Sequence, residues 1–197
     1  MKKRPYHHGD LRAALLERAE QALRERGSGA LSLRELARDL GVSPAAPSRH
    51  FKSKQALLDA LALDGFERLN EALEASQEGA GRTFGERLTA MARTYVGFSL
   101  ANAALLDLMF SAKHSPEASE ALEAAAHRWA EQGLELVSTG QRQGEVREGP
   151  VDRVALTVFA PIYGYVGLAV SGAPLPETDE RGLDDVIASI IRACRPE

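Results

Sequence analysis

The side chains best equipped for chemistry crowd near the start of the chain: hydroxyls on Ser32 and Ser48, a guanidinium on Arg49, an imidazole on His50 and an ammonium on Lys54. The constellations that turn over a substrate are missing. Glu123 and His127 stand four residues apart, whereas a di-iron bundle needs paired Glu-x-x-His spaced by three. No HExxH helix, Gly-rich lysine loop or Gly-x-Ser-x-Gly elbow occurs. The single cysteine, Cys194, excludes an internal disulfide and any multi-cysteine zinc site. The expectation is a protein that is not an enzyme and carries no metal or cofactor.

The charge is unevenly divided. Residues 1–54 hold 12 Lys and Arg against 6 Asp and Glu, and the remainder holds 12 against 22. A basic N-terminal third on an acidic body points to a local nucleic-acid contact surface, or to a merely solvated basic face. The charges Lys2, Lys3 and Arg4, with Tyr6, His7 and His8, form an arm able to reach a phosphate or a minor groove. That basic start runs into polar His7, His8, Gly9 and Asp10, not an apolar core, so no signal peptide is expected.

The elements that must position these groups read as helices throughout, with no alternating strand. Leu11, Ala14, Leu15, Ala19, Ala22 and Leu23 make one apolar stripe, opened by Asp10 and stopped by Gly27. Ser32 is expected to cap a second helix, with Glu35 completing a capping box, and Gly41 to end it. The run SPAAPSRH, residues 43–50, then poses a problem, because proline is costly inside a helix. With Ser43 as N-cap, Pro44 falls at the first helical position and Pro47 at the fourth, so both sit in the first turn of a short α-helix. Ala45, Ala46, Ser48, Arg49 and His50 are then left as a short reading surface of small residues. Helix, glycine turn, helix is the arrangement that places a second helix in the major groove of DNA.

Downstream, a long helix is expected from Lys54, followed by helices at about 83–101, 103–112, 116–141, 151–172 and 181–194. Val154–Pro176 carries no charge and is long enough to cross a bilayer. Pro161, Gly164, Gly167 and Gly172 interrupt it, and its flanks lack cationic anchors, so a helix buried within a helical protein is expected, with no membrane partner.

Residues 31–61, LSLRELARDLGVSPAAPSRHFKSKQALLDAL, resemble the N-terminal signature of the TetR family of bacterial transcription regulators, and YHHGDLRAALLERA at 6–19 resembles the start of one subgroup. The resemblance implies an all-α fold of about nine helices. A three-helix DNA-binding domain with a helix-turn-helix, residues 1–54, would precede a ligand-binding and dimerisation domain, residues 55–197. It further implies that Ser32 and Lys54 bind phosphates, that Ala45, Ala46, Pro47, Ser48 and Arg49 face the groove, and that Phe51 plugs the core. His50 would act as a phosphate donor or a bracing hydrogen bond. Many members carry a tyrosine where this chain has Ser48, so a backbone contact made by that ring is in question.

The partners implied are double-stranded, palindromic operator DNA, an unidentified small-molecule effector and a second copy of the chain, in the cytoplasm, with repression the usual outcome. Met91, Tyr95, Phe98, Met109, Phe110, Trp129, Phe159 and Tyr163 are candidates for an apolar pocket, and His114 and His127 could orient a ligand. Val158, Ile162, Val166, Leu183, Ile187, Ile190 and Ile191 are candidates for the dimer interface. The rival reading is a small-molecule-binding helical protein without specific DNA binding.

Overall fold

The computed structural model describes residues 11–171 and 180–196. The basic arm, the proposed cap Asp10 and the Pro-rich stretch before the last helix lie outside those residues. The described chain forms α1 (Leu11–Arg26), α2 (Leu33–Leu40), α3 (Lys54–Glu78), α4 (Phe84–Ala101), α5 (Ala103–Ala112), α6 (Glu120–Arg142), α7 (Val151–Ser171) and α8 (Glu180–Ala193). Two short 3-10 helices, Ser28–Ala30 and Pro47–Arg49, sit among them, and the described residues contain no strand. The fold is all-α, with eight α-helices among the described residues where about nine were expected of the chain.

The chain divides into two compact units. One takes the chain up to Gly65 together with Ala104–Glu123; the other takes Phe66–Ala103 and the chain from Ala124 onward. In the first, α1 buries Leu15, Ala19, Ala22 and Leu23, spaced as one helical stripe, and α2 buries Leu36 and Ala37. Two ion pairs run from α1 to α2, Arg18–Asp39 at 2.8 Å and Arg26–Glu35 at 3.5 Å. Ser53 opens α3 by accepting the Ala56 N–H at 3.0 Å. Further along α3, the Asp59 carboxylate accepts the Ser119 N–H at 2.9 Å and its hydroxyl at 2.7 Å. Ser119 Oγ accepts the Leu122 N–H, so α6 begins at Glu120, a few residues later than the apolar pattern suggested. A Cβ at Gly65 would stand 2.7 Å from Met109 Sδ, which shows how closely α5 approaches α3.

In the second unit, Thr83 and Glu86 form a reciprocal capping box at the start of α4. Asn70 is fully buried yet satisfied: its amide donates to the Ala125 carbonyl at 2.9 Å and its oxygen accepts from Gln132 at 2.9 Å. This pins α3 to α6 with a polar clasp inside the core.

Helices α4, α7 and α8 pack on one another, and this is where the residues named as dimer candidates lie. Val158, Ile162 and Val166 of α7 and Leu183, Ile187 and Ile190 of α8 are buried within the single protomer, and Ile191 is half-buried, reaching toward Gly85 of α4. They fill the protomer's own core and do not form a free face. Pro161 does not break α7, which continues through it. By length and composition α7 could cross a membrane; in the fold its apolar flank is covered by α4 and α8.

Candidate functional site

The turn after α2 is built by backbone chemistry. Gly41 adopts φ 69°, its N–H donates to the Arg38 carbonyl at 3.1 Å, and the Val42 N–H reaches back to Ala37 at 3.0 Å. These two bonds are a Schellman motif, which needs a left-handed residue that glycine supplies without steric cost. The capping box expected at the other end of α2 is absent. Ser32 has the extended N-cap backbone but makes no side-chain cap bond, and the Glu35 carboxylate, the other half of the box, pairs with Arg26 and Arg38 instead.

The segment that follows is not the α-helix expected from Ser43. It is a turn closed by Ala46 N–H to Ser43 C=O at 2.9 Å, then the 3-10 helix Pro47–Arg49. Pro47 has no N–H to give to Ser43, so the α-helical ladder cannot start. The bonds tighten to three-residue spacing, Arg49 to Ala46 at 3.2 Å and His50 to Pro47 at 2.9 Å. Pro47 itself, expected to face the groove, is buried. Ala45, Ser48, Arg49 and His50 are exposed and Ala46 is half-buried. Phe51 is 3% exposed, with the Arg12 guanidinium 5.6 Å from its ring centre, so it plugs the core as expected.

The cations of this unit are sorted by their partners. Arg18, Arg24, Arg26 and Arg38 are each paired with a carboxylate. Arg34, Arg49 and Lys52 are exposed and make no ion pair among the described residues. Arg34 and Lys52 were not singled out from sequence; nothing local marked them off from their neutralised neighbours. Lys54 donates one ammonium N–H to the Gly29 carbonyl at 2.8 Å, tying the loop after α1 to the start of α3 and leaving two donors.

The second unit contains a cavity of about 270 Å³ among α3, α4, α6 and α7, lined by Leu73, Met91, Tyr95, Trp129, Phe159 and Tyr163, with Asp152 and Leu156 at its edge. The Tyr163 ring lies 5.3 Å from Tyr95, 6.0 Å from Trp129 and 6.4 Å from Phe159. These are ordinary tilted and stacked aromatic separations. Burial pushes the Tyr95 hydroxyl up to about 12, against a smaller opposing effect of a Ser99 hydrogen bond. Burial, and secondarily Tyr95, raises Tyr163 as well. Both phenols therefore remain neutral hydrogen-bonding groups at physiological pH. Gly133 makes the room: a Cβ there would stand 2.9 Å from Phe159 Cζ.

Five of the eight pocket candidates thus come together: Met91, Tyr95, Trp129, Phe159 and Tyr163. Met109 and Phe110 belong to the other unit, Met109 buried beside Gly65 and Phe110 beneath Lys113. Phe98 is half-buried outside the lining, and His114 and His127 are exposed and line no part of the cavity. Leu73, Gly133 and Asp152 were missed, since only the folded helices bring them to the aromatic residues. No group of three potential metal-ligating residues occurs among the described residues.

Comparison with known proteins matches residues 15–61 to the bacterial regulatory proteins of the tetR family and residues 88–193 to the tetracyclin repressor-like C-terminal domain. The chain belongs to the TetR family. A protein of unknown function from Rhodococcus sp. RHA1 is 41% identical, with 98% of this chain and 99% of that one covered and a TM-score of 0.85. The TetR family transcriptional regulator PfmR from Thermus thermophilus is 26% identical, covering 90% and 97%, with a TM-score of 0.69. The HTH-type transcriptional regulator Rv1816 of Mycobacterium tuberculosis is 25% identical over 142 residues, 70% of this chain. The chain covers 60% of the length of that curated relative. In this TetR-family fold the Schellman turn and the 3-10 segment form the second half of the helix-turn-helix, and the cavity lies in the part matched to the C-terminal domain.

Proposed function

We propose that the chain is a DNA-binding transcriptional repressor, dimeric and cytoplasmic, that leaves a palindromic operator when a small apolar or amphipathic molecule fills the cavity of the second unit. The observation that carries the reading is the sorting of charge in the first unit. Arg18, Arg24, Arg26 and Arg38 are neutralised, whereas Arg34, Arg49 and Lys52 stand exposed with no ion pair among the described residues around a short turn of small residues. Arg49 is suited to a bidentate contact with guanine in the major groove, and Ala45 to a close apolar contact with a thymine methyl. Ser32, with no cap bond to make, and the remaining donors of Lys54 suit backbone phosphates at the starts of α2 and α3.

For the dimer, the face left open is the other side of α7. Leu168 is 42% exposed, and a Cβ at Gly164 or Gly167 would meet nothing within 4 Å. Exposed apolar residues beside small ones suit close packing against a second α7. Leu168→Arg should convert dimer to monomer in sedimentation; an unchanged dimer places the interface elsewhere.

The DNA assignment is tested by titrating selected operator DNA at several salt concentrations. Arg49→Ala should cost about 1–3 kcal/mol of operator affinity, and Lys54→Ala should reduce the salt slope by about one. A small-molecule-binding protein without a DNA role, the reading favoured by the cavity taken alone, would show no salt-dependent binding in any variant.

A further inference from the structure

The cavity's lining is specific about charge. Its α7 wall consists of Asp152, Ala155, Leu156, Phe159, Ile162 and Tyr163. These lie on one helical stripe, so the Asp152 carboxylate shares a face with the two rings. At about 1.5 Å of rise per residue, Asp152 lies about 10 Å from Phe159 and about 16 Å from Tyr163 along the helix axis. The other walls, with Leu73, Met91, Ala92, Tyr95, Trp129, Ala130, Gly133 and Leu134, add apolar surface, aromatic faces and one more phenol, and no lysine, arginine or histidine. An anionic ligand would find no cation there. Asp152 is exposed in the first turn of α7, so a neutral ligand would leave the carboxylate to water and gain nothing from it. A ligand with an ammonium at one end and an aromatic or aliphatic body at the other would pair with Asp152 and lay its body among Phe159, Trp129 and Tyr163, where ring faces also attract positive charge.

We propose that the ligand of this cavity is a lipophilic monocation, an amine or quaternary ammonium carried on an aromatic or aliphatic chain, with Asp152 as the residue that selects its charge. The proposal rests on the effector-site reading of the cavity given above.

The test uses the full chain and its one tryptophan, Trp129, as the reporter, since quenching of that residue reads occupancy of the cavity directly. Three probes share one carbon skeleton: 6-phenylhexylamine, 6-phenylhexanol and 6-phenylhexanoate. The amine should bind at least tenfold more tightly than the alcohol, and the carboxylate more weakly than either. Asp152→Asn should bring the amine to within about threefold of the alcohol while the alcohol's own affinity stays the same, which also shows that the variant retains its cavity. Equal binding of amine and alcohol, preference for the carboxylate, an amine advantage that survives Asp152→Asn, or no quenching by any probe would overturn the proposal. Operator binding is then titrated with the amine present. Amine-selective quenching that leaves operator affinity unchanged would support the ligand class and overturn the effector reading alone.

Discussion

In the first unit, the groups offered for recognition stand outside and the apolar anchors lie within: Ser48, Arg49 and His50 are exposed while Pro47 and Phe51 are buried. In the second unit part of the proposed ligand surface is itself core, Tyr95 and Met91 each being 6% exposed, while Tyr163 and Leu156 of the same cavity remain exposed. The first arrangement is held by backbone bonds between residues three to five apart. The second is held by side chains on helices far apart in sequence. A surface made locally can change its contacting residues with little effect on the fold. A cavity made of core residues cannot, because ligand contacts and stability draw on the same side chains.

Phe51→Ala puts the largest strain on that contrast. It removes a buried ring from the first unit and should cost about 3–5 kcal/mol of stability, measured by chemical denaturation. Operator binding should be lost while cavity ligands still quench Trp129. Simultaneous loss of both would break the comparison.

The next effect is a pH dependence of the second unit. Tyr95 has an ordinary value of 10.0, raised by burial to about 12. Between these values the unfolded chain has released the proton while the folded chain retains it, so stability is full below pH 10 and falls as pH rises toward 12. The Tyr95 share of the loss should be about 2–3 kcal/mol over that window, and Tyr95→Phe should reduce the slope in alkaline denaturation curves by that share, the remainder coming from Tyr163, which burial also raises. An equal slope in the variant would remove Tyr95 as the cause.

The smallest effect sharpens the local side of the contrast. Gly41 adopts φ 69° with nothing within 4 Å of an added Cβ, so Gly41→Ala meets backbone strain and no clash. It should destabilise the first unit by about 1 kcal/mol. A loss well above that would show that the turn is braced by contacts beyond its own backbone.

The same local and non-local division explains what the sequence made legible. Helix types and most boundaries followed from apolar spacing, and α5 and α7 began where the pattern placed them. Gly41 could be placed because a left-handed turn is a property of a few adjacent residues. The Glu35 half of the capping box at Ser32 failed because Glu35 had two competing arginines, one of them on α1, which no local motif reveals. Pro47 was expected at the groove only through the family resemblance, and the α-helix assumed from Ser43 is one that the missing N–H of Pro47 prevents. Met109 and Phe110 joined the pocket candidates on composition, and only the folded chain separates them from Tyr95 and Trp129. The dimer candidates were read as a stripe packed against a second copy, and the mutual packing of α4, α7 and α8 within one protomer is a non-local fact that the stripe alone does not reveal.

The 3-10 segment also has a thermodynamic consequence. Ala45 and Ala46 have no rotamers to lose and Pro47 has its φ fixed by the ring, so this part of the surface meets another molecule with little conformational freedom left to surrender. The disorder lost on docking is concentrated in the longer side chains of Arg49 and His50. Calorimetry of operator binding should therefore show an entropic cost at this turn that shrinks in Arg49→Ala even as the heat released also falls, the two changes partly cancelling in affinity.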